Sequence, residues 1–195
     1  MNQEFLNTIL IKVENAKRKN RDAAAKTILK TPTLFPYLVS TTFQVDTKLS
    51  VRAAWILEWI CTHNGLDLLL PHLEEFTKNI HKVHFDGSVR TCAKICKHIA
   101  TAYTSKNSHK IKNVLTNDQI ERIIETGFDW LITNQKIAVK AYTMNTLYLF
   151  GLQKDWIHPE LEHIIRNDVI HQSKGCEARG RKILKLIQNF NQKKL

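Results

Sequence analysis

The sequence predicts an all-α protein in which helical hairpins stack into an α-solenoid, and three observations support this fold class. Apolar residues recur at helical spacing along nearly all of the 195 residues, which include only 6 Gly and 4 Pro. A short motif, made of a small or aliphatic residue, a base and a second small residue, occurs four times. The bases of successive copies are 38, 50 and 39 residues apart, close to the roughly 40 residues of a two-helix repeat. The four copies are Val51-Arg52-Ala53, Val89-Arg90-Thr91, Val139-Lys140-Ala141 and Ala178-Arg179-Gly180.

The clearest copy lies in the stretch 49–60, which has the pattern of an amphipathic helix. Its apolar residues recur three and four positions apart, as in Val51, Ala54 and Trp55. Trp59 follows Trp55 by one turn, so we expect at least one of these two side chains to be mostly buried. Gly65 is expected to end the helix, because glycine reaches the left-handed conformation without a Cβ clash.

The same periodicity predicts ten helices, the first at 3–17, which pair in order into hairpins. Together they form one domain, residues 1–195. The hairpins are expected at about 3–31, 32–63, 66–104, 116–153 and 158–191.

Local signals mark several helix ends. Pro71 is expected to disturb the first turn of the helix predicted at 66–83, because proline lacks a backbone donor. Thr116 and Gln119 form a capping box, in which each side chain satisfies a free backbone N–H at a helix start. The polar segment 105–113 lacks an apolar period and accounts for the longer spacing of 50 residues. We therefore expect it to be an exposed loop.

The motif copies resemble the second helices of HEAT and armadillo-type repeats, which typically begin with a Val-Arg-x-Ala-like sequence. The resemblance covers nearly the whole chain. The first hairpin departs from it, because its second helix carries Asp22-Ala23-Ala24-Ala25 and no matching base, as suits a terminal cap. The resemblance implies that the second helices form an inner, concave wall and the first helices an outer wall. It is carried by Val51-Arg52, Val89-Arg90, Val139-Lys140 and Ala178-Arg179.

Charge follows the same division. The chain has 29 Lys and Arg against 18 Asp and Glu, a net charge of +11. By the predicted boundaries, the second helices hold 14 bases and 3 acids, while the first helices hold 6 bases and 12 acids. A basic concave wall backed by an acidic wall would attract polyanions. Lys and Arg bind nucleic acid by neutralising phosphates and releasing counterions. The expected partner is therefore DNA or RNA, with an acidic protein as the other possibility.

The candidate anion-binding residues are bases of the second helices. A structural interpretation competes for the four motif bases, which could pair with loop acids such as Asp46 and Asp86 and fix the hairpin turns. The remaining candidates could equally form a solvated helix face. The candidate residues are Arg52, Arg90, Lys94, Lys97, Lys140, Arg179, Arg181, Lys182 and Lys185.

Two alternative functions were weighed beside a non-catalytic binding module. HEAT-like alkylpurine DNA glycosylases are similar in size and charge and use Trp, Asp and Arg in their groove, which makes a DNA base-excision enzyme one alternative. Here Asp129-Trp130 and Asp155-Trp156 are the only Asp-Trp neighbours, and two Trp flank Glu58. Because Trp at helical spacing is more often core, no catalytic residue is assigned. The other alternative is a protein-interaction scaffold, which a contiguous exposed apolar strip would favour.

The sequence lacks the motifs of the common metal-binding, phosphate-binding and catalytic sites. His81 and His84 could ligate a metal with Asp86, but a metal site needs further convergent ligands, so neither a metal nor a cofactor is expected. Gly-rich phosphate loops and hydrolase motifs are absent from the sequence. Small HEAT-like chains are sometimes labelled adenylosuccinate lyase. Nothing in this sequence resembles the Ser-rich catalytic loop of that enzyme, and no motif supports lyase activity.

The four cysteines and the hydropathy of the sequence indicate in which cellular compartment the chain is expected. Cys61, Cys92, Cys96 and Cys176 fall inside helical patterns without a paired zinc spacing, so we expect buried thiols in a reducing compartment. No apolar run approaches the ~20 residues of a membrane span. A cytoplasmic protein without a membrane partner is expected.

Overall fold

The computed structural model describes residues 2–45 and 47–193, and most of these residues are helical. These ranges contain no strand, which confirms the all-α prediction. Short 3₁₀ turns lie at Pro32–Leu34, Leu70–His72 and Ile80–Lys82, and Ile165–Val169 is π-helical. The α-helices are α1 (Gln3–Ile11), α2 (Arg18–Lys30), α3 (Phe35–Thr42), α4 (Lys48–His63), α5 (Leu73–Asn79), α6 (Asp86–Thr104), α7 (Ile111–Val114), α8 (Asn117–Ile132), α9 (Ile137–Phe150), α10 (Ile157–Ile164), α11 (Ile170–Gln172) and α12 (Lys174–Gln192).

Side-chain caps begin three of the long helices, α4, α8 and α12, the last through Ser173, whose hydroxyl accepts the Cys176 backbone N–H. The Thr47 hydroxyl accepts the Ser50 backbone N–H at the start of α4. The predicted capping box of Thr116 and Gln119 is present at the start of α8. Gly65, directly after α4, has φ +83° and is the only residue with positive φ among those described, so its predicted role as a helix stop is confirmed.

The helices contact one another in two rows. The helices that the sequence pairs second in each hairpin form one row, in which each helix contacts the next: α2, α4, α6, α9 and α12. We name this the second-helix row. The first-helix row consists of α1, α3, α5, α8 and α10, again in sequential contact. The two rows enclose one apolar core that runs from Leu6 near the N-terminus to Ile187 near the C-terminus.

Two predicted helices differ from the observed ones. The first helix ends at Ile11 rather than at residue 17, because the chain turns there and buries Val13 against the core. The helix predicted at 66–83 is broken into a 3₁₀ turn containing Pro71, α5 and a second 3₁₀ turn. Proline at this position removes a donor from the first helical turn, as its position predicted.

The segment 105–113 is only partly the exposed loop that the sequence predicts. Residues 106–108 are exposed, but α7 begins at Ile111, whose side chain is 0% exposed. Lys112 reaches back to the backbone carbonyl of Ser105. The prediction is wrong for this half of the segment, because a single apolar residue creates no period and still anchors the chain to the core.

Predictions about burial are confirmed. Trp59 is 7% exposed and Trp55 is half-buried. All four cysteines are buried and unpaired, and burial raises the pKa of the Cys61 and Cys92 thiols to about 12. Within the described ranges, each helix is too short or too polar to traverse a bilayer.

Candidate nucleic-acid interface

Two of the four motif bases bind backbone carbonyls. The Arg52 guanidinium donates to the carbonyl oxygens of Leu10 and Ile11, at 3.4 and 3.2 Å, and so satisfies the C-terminal end of α1. The Lys140 side chain is 1% exposed and its Nζ donates to the carbonyl of Leu131 at the C-terminal end of α8, at 2.8 Å. A cation at a helix C-terminus complements the free carbonyls and the helix dipole. These contacts favour a structural role for Arg52 and Lys140.

The sequence predicts that loop acids such as Asp46 and Asp86 pair with the motif bases. Asp46 lies outside the described residues, and Asp86 forms no ion pair with a motif base among those described. Asp86 lies 3.8 Å from Lys136, rather than beside Arg90. Arg90 is half-buried and Arg179 is exposed, and the described structure gives neither of them an ion pair. The motif therefore combines two helix-capping bases with two bases that face solvent at least in part.

Helix α6 presents three candidate bases on one side. Arg90, Lys94 and Lys97 lie at positions i, i+4 and i+7, which face the same direction on a helix. All three are half-buried. Thr101, at i+11, continues the line and is exposed. We name Arg90, Lys94 and Lys97 the basic stripe.

An ion cluster adjoins the basic stripe and joins three helices of the second-helix row. Glu58 on α4 is 2% exposed and accepts hydrogen bonds from Arg21 of α2 at 3.0 Å and from Lys94 of α6 at 2.5 Å. The Thr62 hydroxyl donates to the same carboxylate at 2.7 Å, and its oxygen lies 3.2 Å from Nε2 of His98. We name Arg21, Glu58, Thr62, Lys94 and His98 the Glu58 cluster.

The Glu58 cluster carries one carboxylate and two cations, so it keeps an excess positive charge. Burial raises the pKa of Glu58, but the hydrogen bonds from Lys94 and Thr62 and the charges of Lys94 and Arg21 outweigh burial and lower it below its ordinary value of 4.5. Burial lowers the pKa of His98, and the charges of Lys94 and Lys97 lower it further. His98 is therefore neutral at pH 7, while Glu58 is ionised.

Aromatic rings border the Glu58 cluster on one side. The Arg21 guanidinium carbon lies 4.5 Å from the centre of the Trp59 ring, within the range of a cation–π contact. The exposed His63 ring stacks on Trp59, with centroids 3.8 Å apart. This arrangement fixes Arg21 between a carboxylate and an aromatic face.

A second group of candidate bases lies on α12. Arg181, Lys182 and Lys185 are exposed, and Arg181 pairs with Glu177 at 2.8 Å. Arg181 and Lys185 line an open groove of about 370 Å³ together with Arg166 of the neighbouring π-helical segment. The sequence assigned Arg166 to the opposite wall, whereas the packing of α12 brings it beside two candidate bases.

A neutral helix separates these two basic surfaces. Helix α9 lies between α6 and α12, and its one charged residue, Lys140, is buried. The solvent-facing positions of α9 include Ala138, Tyr142 and Asn145. The nine candidates therefore divide into the two capping bases, the three bases of the basic stripe and the four bases of α12, which include Arg179, rather than forming one continuous surface.

Sequence reasoning missed the Glu58 cluster, although the sequence contains a signal for it. Arg21 and Glu58 are 37 residues apart, Glu58 and Lys94 are 36 apart, and Thr62 and His98 are also 36 apart. These separations are close to one repeat, so the residues occupy equivalent places on successive second helices. The motif copies are like residues at this spacing, whereas the Glu58 cluster is formed by complementary residues at nearly the same spacing.

The residues weighed for catalysis or metal binding do not converge in the described part of the chain. Trp130 is buried in the core, whereas Trp156 is 51% exposed and stacks on Phe128. His81 and His84 are exposed. The described residues contain no group of three or more His, Cys, Asp or Glu that could hold a metal ion.

Comparison of this chain with known protein families, curated proteins and solved structures finds no match. The resemblance to HEAT repeats therefore depends on the motif residues and their spacing.

Proposed function

We propose that this chain is a non-catalytic, HEAT-like α-solenoid module that binds a polyanion, with nucleic acid as the preferred partner. The observation that carries the proposal is the separation of charge between the two rows of helices. By the observed boundaries, the second-helix row contains 16 Lys or Arg and 4 Asp or Glu. The first-helix row, counted through the turns that flank α5 and the segment that follows α10, contains 4 bases and 10 acids.

Because of this separation, the electrostatic potential is more positive on the side of the second-helix row than on the side of the first-helix row. Opposite net charges on two adjoining surfaces create a potential that attracts a polyanion to the basic one. The basic stripe places Arg90 and Lys97 on one face of α6, on either side of Lys94, which also binds Glu58. The α12 bases form a second area of contact. Phosphate contacts of this kind position a nucleic acid without reading its sequence.

A salt titration of binding to duplex DNA, single-stranded DNA and RNA tests the proposal. The variant to use is the double reversal Arg90→Glu and Lys97→Glu, because Lys94 and Arg52 also hold the fold together. If each of the two bases neutralises one phosphate, the slope of log affinity against log salt should become shallower by about 1.8 for duplex DNA, at roughly 0.9 per contact, and by about 1.4 for single strands, at roughly 0.7 per contact. Affinity should fall for all sequences alike.

The matched control is the double reversal Lys78→Glu and Lys82→Glu on the first-helix row. Both lysines are exposed, and the change in net charge is the same. Equal losses of affinity in the two variants would mean that binding reflects net charge alone. If the wild type binds none of the three nucleic acids at low salt, an acidic protein replaces nucleic acid as the partner.

A base-excision enzyme is the second candidate, and one observation favours it. Glu58, Trp59 and Arg21 combine a carboxylate, an indole and a guanidinium on second helices, the groups that HEAT-like glycosylases use in their groove. Against catalysis, Glu58 is 2% exposed and already accepts hydrogen bonds from three side chains. Incubation with alkylated duplex DNA should release no base. Release that is lost in the variant Glu58→Gln would establish the enzyme instead.

A further inference from the structure

A polar pocket opens beside the far end of the basic stripe. It lies between the C-terminal ends of α4 and α6 and the segment 105–109, and it has a volume of about 400 Å³. This volume falls in the usual range of small-ligand sites. Its floor is apolar and formed by Cys61, Leu66 and Ala102, and its walls carry polar groups that include His98, Thr101 and His109.

The hydrogen bonds around the two histidines define what the pocket walls offer. Because the Thr62 hydroxyl donates to Glu58, its oxygen accepts from His98 Nε2, and neutral His98 keeps Nδ1 as an acceptor. His109 Nδ1 accepts the backbone N–H of Ile111 at 3.1 Å, which leaves Nε2 of His109 as a donor. The Thr101 hydroxyl donates to the carbonyl of Lys97 at 2.7 Å, so its oxygen remains as an acceptor. The pocket thus combines the acceptors of His98 and Thr101 and the donor of His109 with an apolar floor.

This combination matches one class of ligand. A nucleobase has flat apolar faces and an edge of hydrogen-bond donors and acceptors, and proteins bind unstacked bases through both features. An inorganic anion would gain little from the apolar floor. It would also be disfavoured by the C-terminal ends of α4 and α6, whose free carbonyls carry partial negative charge.

The pocket is continuous with the surface proposed to bind phosphates. Thr101 lies four residues beyond Lys97 on the same face of α6, a rise of about 6 Å along the helix axis. A strand whose phosphates follow the basic stripe therefore brings its next base to the pocket. A paired base is stacked inside a duplex and is not available to it.

We propose that this pocket binds an unstacked nucleobase of a single-stranded nucleic acid whose phosphates contact the basic stripe. The proposal rests on the proposed function and specifies its substrate class as single strands rather than duplexes. The same chemistry could be supplied by a free nucleotide, so the experiment distinguishes the two sources.

Two substitutions in the pocket test the proposal, and the measurement is the affinity for a short oligonucleotide. Ala102→Leu fills the floor, and His109→Ala removes the donor without touching the Glu58 cluster. Each should weaken binding of a short oligonucleotide by roughly 2- to 10-fold, the range that the loss of one hydrogen bond or of a small buried apolar contact produces. Neither should change duplex binding or the dependence of affinity on salt. Ala178→Leu, at an exposed position of α12, is the matched control and should change nothing.

A direct measurement keeps the test independent of the stability of these variants. Imidazole resonances of the wild type are followed while adenosine 5′-monophosphate or a short single strand is added. Shifts of His98 and His109 with the single strand alone show that the base must belong to a polymer, and shifts with both ligands show that a free nucleotide suffices. Either result supports the pocket.

The outcomes that overturn the proposal are distinct from those that overturn the proposed function. If neither ligand shifts the two imidazoles, or if folded Ala102→Leu and His109→Ala bind single strands as the wild type does, the pocket binds no base. That result leaves phosphate binding along the basic stripe intact. If no polymer binds at low salt but adenosine 5′-monophosphate shifts both imidazoles, the polyanion function fails while the base pocket remains.

Discussion

Glu58 is the residue in which stability and the candidate site are most closely connected. Its carboxylate lies among apolar neighbours on α4 and is accessible to solvent at only 2% of its surface. A buried carboxylate destabilises a fold unless its charge is matched, and here two cations and a hydroxyl match it. The same two cations hold neighbouring helices of the second-helix row to α4. Glu58 thus positions Lys94 within the basic stripe.

The variant Glu58→Gln should lower the free energy of unfolding by about 3 kcal/mol at neutral pH, because it leaves two cations facing each other without a counter-charge. The folded-state pKa of Glu58 lies below its ordinary value of 4.5, so the carboxylate stabilises the fold fully above that unfolded-state value. This contribution is lost as the pH falls through the lowered folded-state pKa. Urea denaturation from pH 7 to pH 3 should therefore show the wild type converging on the variant.

The exposed pair of Glu177 and Arg181 supplies the control for this measurement. Glu177→Gln should have a much smaller effect at every pH, because water screens an exposed pair. A constant difference between Glu58→Gln and the wild type across the pH range would contradict the assignment of an ionised carboxylate.

Trp59 provides the second test at the scale of the residue. Its ring is 7% exposed and packs between Arg21 and His63. Truncation to Ala should cost about 3–5 kcal/mol, as for other core aromatics. Trp156→Ala removes an equally large side chain that is 51% exposed, and its cost should be far smaller. Similar shifts of the melting midpoint in the two variants would show that the Trp59 site refills after truncation.

At the scale of the element, the segment between α6 and α8 changes the interpretation of the repeat spacing. The longer separation of the second and third motif bases comes from a loop followed by α7, which packs against α6. Ile111 at the start of α7 is fully buried and closes this end of the core. The insertion is therefore half a solvent-exposed loop and half a structural element, and its loop half forms one wall of the polar pocket.

A substitution in α7 should destabilise the fold, whereas a deletion in the exposed loop before it should not. Ile111→Ala should cost about 2–5 kcal/mol, the range for truncating buried aliphatic side chains. Removal of Asn107 and Ser108, which are exposed, should leave the free energy of unfolding nearly unchanged. Thermal and urea denaturation measure both. Unfolding caused by the deletion would show that the loop half is also packed.

At the scale of the whole molecule, charge is divided between the two rows of helices and is not confined to the nine candidate bases. The two rows of helices carry net charges of opposite sign, so their difference is a property of the whole array. Within the second-helix row, however, α9 presents a neutral surface between the basic stripe and the α12 bases. A bound polyanion would therefore contact two basic areas, and Arg166 contributes to the second one from the other row.

Most of the helices and the division of charge follow from the amino-acid sequence, whereas α7 and the early end of α1 do not. Apolar periodicity and local caps act over a few residues, so the capping box of Thr116, the stop at Gly65 and the burial of Trp59 followed from short-range rules. The recurrence of the motif bases, at about one repeat length apart from one insertion, also predicted which helices would be equivalent. Net charge by row needed no coordinates, because it depends only on which helix holds each residue.

The role of each base depends on how the helices pack. Arg52 and Lys140 occupy the same motif position as Arg90, yet they cap the ends of α1 and α8. The carbonyls that Arg52 reaches are distant in sequence and close only after packing. The Leu131 carbonyl that Lys140 reaches lies across the turn between α8 and α9, and the sequence pattern does not specify this contact. Lys94 became a partner of Glu58 for the same reason. A side chain with one positive charge can bind a phosphate, a carboxylate or a helix end, and the choice depends on which of these the packed helices bring within about 3 Å of it.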